Sequence, residues 1–206
     1  MPEIRSYRPA DRDALYDICV RTADAGQDAR GMHSSDDLWG DLFAGPYAHL
    51  EPGLAFVADD GGQAVGYIVG TASTETFVKR YAAEWIPLLG DRYPTPPEGE
   101  RTAEEDLVHL HFHPERMIAP GIDLAAYPAH LHIDLLPPYQ GRGLGRQLID
   151  RFTATVDAPG VHLGMLTTNV RARGFYDRLG FEVLPVPDPG PLTYMGLRIT
   201  PTSRIG

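Results

Sequence analysis

Residues 129–156 pass directly from an alternating stretch, through a loop with three glycines, into an apolar stripe at four-residue spacing, and few folds accept that succession. In "AHLHIDLL" Leu131, Ile133 and Leu135 alternate with His130, His132 and Asp134, so a strand here puts its three polar side chains on one face. Further on, Leu144, Leu148, Phe152 and Val156 make one helix face, which Pro159 and Gly160 terminate. Between the two lie Gly141, Gly143 and Gly145 at two-residue spacing. Glycines let consecutive amide N–H groups converge, and the helix that follows presents its positive end, so the loop suits an anion such as a phosphate. Its GxGxG pattern is not the GxGxxG of dinucleotide sites, and no Lys-Ser or Lys-Thr pair closes it as a P-loop requires.

The flanking sequence predicts a mixed α/β chain. Leu15, Ile18 and Cys19 fall at helical spacing within 9–21, and two short helices are expected between Asp24 and Leu50. "GLAFVAD" and "QAVGYIVGTAS" flank "DGG", the signal of a hairpin. Within 76–127 the pattern changes to a helix ending at Gly90, a Pro-rich loop and "AEEDLVHLHF", whose type stays open, so this segment reads as an insertion. "VHLGMLTT" predicts a strand, and Ala172, Phe175 and Leu179 share one face of a helix closed by Gly180 and Phe181. "FEVLPV" and "LTYMGLRI" complete the chain as strands. A length of 206 residues with 43% hydrophobic composition fits one domain spanning 1–206.

A formal charge of -10 argues against a broad nucleic-acid-binding surface, yet between 142 and 178 six arginines face three aspartates, beside the glycine loop. The single Cys19 cannot form an internal disulfide, and no signal peptide or membrane-spanning stretch is apparent, so a cytoplasmic setting is expected. "HLHFH" at 109–113 would put three histidines on one strand face, a poor match to tetrahedral zinc, and no metal is expected there. Trp39, Phe43, Tyr47 and Trp85 are read as core aromatics or as the lining of an acceptor pocket.

Gln140, Gly143 and Gly145 match the acyl-CoA signature of the GNAT acetyltransferases, and "NVRARGFYDRLGF" from Asn169 to Phe181 matches their second pattern. The chain therefore resembles that family. More loosely, its inserted segment is similar to bacterial relatives of the acetyltransferase-like domain of O-GlcNAc hydrolases. The resemblance implies a central mixed, mostly antiparallel sheet splayed between strands 4 and 5 and flanked by helices. It implies acetyl-CoA as co-substrate and direct transfer of its acetyl group to a primary amine, either a small amine or a lysine side chain. Cofactor contacts would come from Leu135, Leu136 and Gln140, from Gly141, Arg142, Gly143, Leu144, Gly145 and Arg146, and from Asn169, Arg173 and Tyr176. Tyr176 would protonate the CoA sulfur, while Asp134, nearest the acetyl centre with His132 as its partner, would supply the base. Asp24, Asp28, Asp36 and Asp37 suggest a cationic acceptor. The alternative is a catalytically inactive acetyltransferase-like binding module, against which the intact Gln140 loop and Tyr176 speak.

Overall fold

The computed structural model describes residues 2–199. Its strands are β1 (Glu3–Ser6), β2 (Phe56–Asp60), β3 (Gln63–Thr71), β4 (Ala129–Leu135), β5 (Gly160–Leu166), β6 (Glu182–Val183) and β7 (Leu192–Arg198), in one sheet of order β1-β2-β3-β4-β5-β7-β6. Neighbours are antiparallel except β4 and β5, which run parallel and pair only at Ala129↔Val161 and His130↔His162. Beyond those pairs the two strands part. The β2–β3 hairpin turns on Gly61 (φ 67°) and Gly62 (φ 96°), the two positive-φ residues that a tight hairpin turn demands.

The helices are α1 (Arg12–Val20), α2 (Asp37–Phe43), α3 (Gly45–Leu50), α4 (Thr74–Arg80), α5 (Ile86–Leu89), α6 (Ala103–Phe112), α7 (Leu144–Thr155) and α8 (Val170–Arg178). One sheet face packs Leu131, Val161 and Met195 with Leu148 and Phe152 of α7 and Tyr176 of α8. The opposite face packs Tyr67 with Leu15 and Ile18 of α1, Tyr47 of α3 and Phe77 of α4. Strand β4 divides its side chains between these faces as the alternation predicts. Helix α8 ends with Gly180 at φ 87°, where the Gly180 N–H donates to Asp177 O and the Phe181 N–H to Tyr176 O, so Phe181 folds back into the core.

Between β3 and β4 the chain is mainly helical. "AEEDLVHLHF" forms α6 because Thr102 and Glu105 make a reciprocal cap, the Thr102 hydroxyl accepting from Glu105 N and the Glu105 carboxylate from Thr102 N. Helical rather than strand periodicity separates the three histidines: His111 is buried against Tyr81, while the rings of His109 and His113 meet at a tilt of 33° with centroids 4.0 Å apart. The expected strand "FEVLPV" shortens to Glu182–Val183, because Pro185, Pro187 and Pro189 follow and offer no N–H to a ladder.

Candidate active site

The Leu136 N–H donates to Val65 O at 3.0 Å, so by antiparallel alternation the backbone groups of Ile133 and Leu135 turn the other way, towards β5, where pairing has already ended. There a cleft of about 550 Å³ opens, bordered by β4, the glycine loop, α8 and the turn from Thr22 to Gln27. Gly141 (φ 74°) and Gly143 (φ 81°) both adopt the left-handed region. A Cβ at Gly141 would meet nothing within 4 Å, and one at Gly143 only the Gln147 amide at 4.0 Å, so the approach to the start of α7 is open. The first intrahelical acceptor is Gly143 O, taken by the Gln147 N–H, which leaves the N–H groups of Leu144, Gly145 and Arg146 as free first-turn donors. Gly145 has a different reason: a Cβ there would press on the Phe175 ring at 3.0 Å, so its absence lets α8 close on α7. Converging donors, open space and the Arg146, Arg171 and Arg178 side chains fit a pyrophosphate, and the unpaired strand edge fits an amide-bearing arm.

Of the residues expected at the cofactor, Leu135, Gln140, Gly141, Gly143, Gly145, Arg146, Asn169 and Tyr176 border the cleft. Others do not. Leu136 is buried in the opposite core, its N–H committed to Val65 and its carbonyl accepting from Tyr139 N at 2.9 Å. The Leu144 side chain lies in the main core, so only its N–H can serve the anion, and the Arg142 guanidinium sits over the Tyr139 ring. Arg173 turns away and pairs with Asp177 at 2.8 Å, since on α8 the cleft stripe runs through Arg171, Phe175 and Arg178 at helical spacing. Two of the bordering side chains have internal work. Gln140 Nε2 donates to Leu135 O at 2.7 Å, tying the loop to the end of β4. Asn169 caps α8 through Oδ1, which accepts from Ala172 N, while its Nδ2 donates to Ala25 O at 3.2 Å and holds the Thr22–Gln27 turn against the cleft.

Tyr176 is buried, its hydroxyl has no hydrogen-bond partner among the described residues, and it borders the cleft. Burial, reinforced by the Asp134 charge, holds the phenol well above its ordinary pKa, so it remains a proton donor. Asp134 is half-buried and its Oδ2 accepts from Tyr67 OH at 2.6 Å. Burial raises its pKa, while the hydrogen bond from Tyr67 opposes the rise. His132, expected as its partner, bonds instead to Tyr47 OH at 3.2 Å and meets Phe43 edge-on. Burial first, then the Arg116 charge, pushes its pKa down to about 4. Tyr67 and Thr22 are site residues the sequence reading missed: Tyr67 faces Asp134 only through the β3–β4 register, which no local pattern discloses, whereas Tyr47 and Phe43, read as core or acceptor-pocket aromatics, meet His132. The expected acidic acceptor cluster disperses. Asp36 and Asp37 line a separate groove with Asp13 and Asp17 on α1, and Asp28 pairs with Arg30.

These buried imidazoles carry a stability consequence. His130 and His132 are held neutral, chiefly by burial, so their folded pKa values lie below the unfolded value and the unfolded chain binds more protons in acid. Stability is therefore complete above about pH 6.5 and declines as the pH falls from there towards about 4. Calorimetry between about pH 7.5 and 5 should show the melting temperature falling, and a flat profile would refute the neutral buried pair.

The acetyltransferase (GNAT) family matches residues 13–181, and the chain belongs to this family. By family it is an acetyltransferase of the GNAT type, a family whose co-substrate is acetyl-CoA. The crystal structure of SsHAT is 52% identical, with a TM-score of 0.91, over 97% of this chain and 98% of that one. The structure of yncA from Salmonella typhimurium with its cofactor acetyl-CoA shares the fold at 16% identity and a TM-score of 0.51, covering 98% of this chain and 96% of that one. Protein O-GlcNAcase from Rattus norvegicus is 27% identical over 184 residues, 87% of this chain, and the chain spans about a fifth (20%) of that relative's length. Among the described residues no helix is long and apolar enough to cross a membrane.

Proposed function

We propose that this chain moves the acetyl group of acetyl-CoA directly onto a primary amine, a small amine or a lysine side chain, in a cytoplasmic setting. The observation that carries the reading is Tyr176, a buried residue whose hydroxyl has no partner among the described residues and which borders the same cleft as Asp134 and the start of α7. When bound, acetyl-CoA supplies the acetyl group as a thioester, activated towards an amine nucleophile. The first-turn amides of α7 with Arg146 receive its pyrophosphate, and the β5-facing backbone of Ile133 with the Leu135 N–H orients its arm. Tyr176 gives its proton to the departing sulfur. The amine's proton is taken on the polar face of β4, where Asp134 and His132 stand two residues apart.

Incubation with acetyl-CoA and tyramine, spermidine or a lysine-bearing peptide, read by release of free thiol, tests the reading. Thiol release that requires an amine supports it. Thermal stabilisation by acetyl-CoA with no thiol release from any amine identifies a binding module instead. Paired rate profiles against pH separate the two bases. If Asp134 is the base, Asp134→Asn should depress turnover at every pH with acetyl-CoA binding intact. If His132 is the base, His132→Gln should abolish the ascending acidic limb and Asp134→Asn should only displace it.

A further inference from the structure

The Thr74 hydroxyl lies 2.8 Å from Pro128 O, an atom that can only accept, so its one proton is spent there. The same oxygen is 2.8 Å from His130 Nδ1 and must accept, which places the proton of the neutral His130 ring on Nδ1. His130 Nε2 is then bare and 2.8 Å from Tyr47 OH, so the tyrosine donates; its alternative acceptor, Met117 Sδ at 3.7 Å, is the weaker one. With that proton spent, the Tyr47 oxygen accepts from His132 Nε2 at 3.2 Å. Each link leaves the next one no choice. His132 therefore carries its proton on Nε2, and its Nδ1 is bare.

That nitrogen is also accessible. Trp39 Nε1 is the one sealed side-chain nitrogen or oxygen without a partner among the described residues, so His132 Nδ1, which has no partner among them either, is not sealed, on a half-buried ring that stands beside the cleft-lining Ile133 without itself lining the cleft. The groups that face the ring are Phe43 of α2, Tyr47 of α3, Arg116 in the turn Pro114–Met117, and its same-face neighbours His130 and Asp134 on β4.

We propose that Thr74, His130 and Tyr47 form a positioning chain that locks the tautomer of His132 and presents its bare Nδ1 as the atom that takes the amine's proton. The proposal rests on the acetyl-transfer reading and names His132 rather than Asp134 as the base on the strand face. In the step the amine nitrogen bonds to the acetyl carbon as the carbon–sulfur bond breaks. His132 Nδ1 takes the proton of the amine and Tyr176 gives its phenolic proton to the sulfur, which keeps the electron pair. His132 then releases its proton to solvent and Tyr176 regains one, so the balance is amine plus thioester to amide plus thiol. Throughout, the Nε2–H stays on Tyr47, because an imidazolium donates from both nitrogens.

Two-dimensional 15N–1H spectra of the histidine rings in the intact protein read the tautomer directly. The expected spectrum has a protonated Nε2 and a bare Nδ1 on His132, and a proton on Nδ1 would overturn the proposal without any variant. Thr74→Val replaces a hydroxyl by a methyl of the same shape, distant from substrate. It should give a mixture of His132 tautomers and lower kcat by roughly tenfold, with KM for acetyl-CoA unchanged. Thr74→Ser should restore both. Turnover is followed with acetyl-CoA and whichever of tyramine, spermidine or the lysine peptide the wild type uses. Redistributed tautomers with unchanged kcat, or wild-type turnover in His132→Gln, would each sink the base assignment while acetyl transfer stands. Absence of thiol release by the wild type with every amine would bring down the transfer reading and the base assignment together.

Discussion

Replacing Tyr176 by phenylalanine should leave the fold and the affinity for acetyl-CoA intact and lower turnover by roughly 10- to 1,000-fold, the range for losing one positioned proton donor. The ring packs against Phe175 and Phe181 in the main core, and phenylalanine keeps those contacts. The hydroxyl removed has no partner among the described residues, so none of them is orphaned by its loss. Steady-state kcat and a thermal melt with and without acetyl-CoA check this. An unchanged kcat would remove Tyr176 from the chemistry, and a collapsed melt would recast it as a core aromatic.

Gly143→Glu should abolish the thermal shift that acetyl-CoA produces. A ligand at a hundredfold excess over its Kd stabilises the native state by about 2.7 kcal/mol, which for a domain of this size is roughly 5–10 °C. The glutamate carboxylate would stand at the unblocked start of α7, repelling the pyrophosphate and competing for the same amides. Gly143 sits at φ 81°, so any side chain also costs about 1–2 kcal/mol of backbone strain. Gly143→Asn separates the two effects, because asparagine tolerates the left-handed region and adds no charge. It should melt somewhat lower than the wild type yet keep most of the shift. A full shift in Gly143→Glu would place the pyrophosphate elsewhere.

What the sequence disclosed about the site follows from how each feature is encoded. The strand, loop and helix at 129–156 were readable because alternation, glycine spacing and a four-residue stripe are local, and the same holds for the Gly180 cap. Helix α6 carried its Thr102–Glu105 cap in the sequence, but its weak apolar stripe left the type open. Arg173 was expected at the cofactor because it lies within the family pattern. Only the orientation of α8 shows that Arg171 and Arg178 face the cleft. The partners of the β4 face were out of reach for a deeper reason. Tyr47, Tyr67 and Thr74 come from three separate elements, and their meeting with His130, His132 and Asp134 is a product of sheet register and helix docking.

The parting of β4 from β5 gives this sheet two edges in its interior. An exposed edge normally invites another strand and is blunted by charge, proline or a covering helix. These inner edges face each other across a cleft that the turn held by Asn169 also borders. A ligand suited to such a place imitates a strand, with amides set along a thin apolar backbone. Recognition of that kind grips the carrier and is indifferent to its cargo. If the arm lies along this gap, substitutions at Ile133, which borders the cleft, should alter which acyl group is carried without weakening the hold on CoA, as rates with acetyl-CoA and longer acyl-CoAs would show.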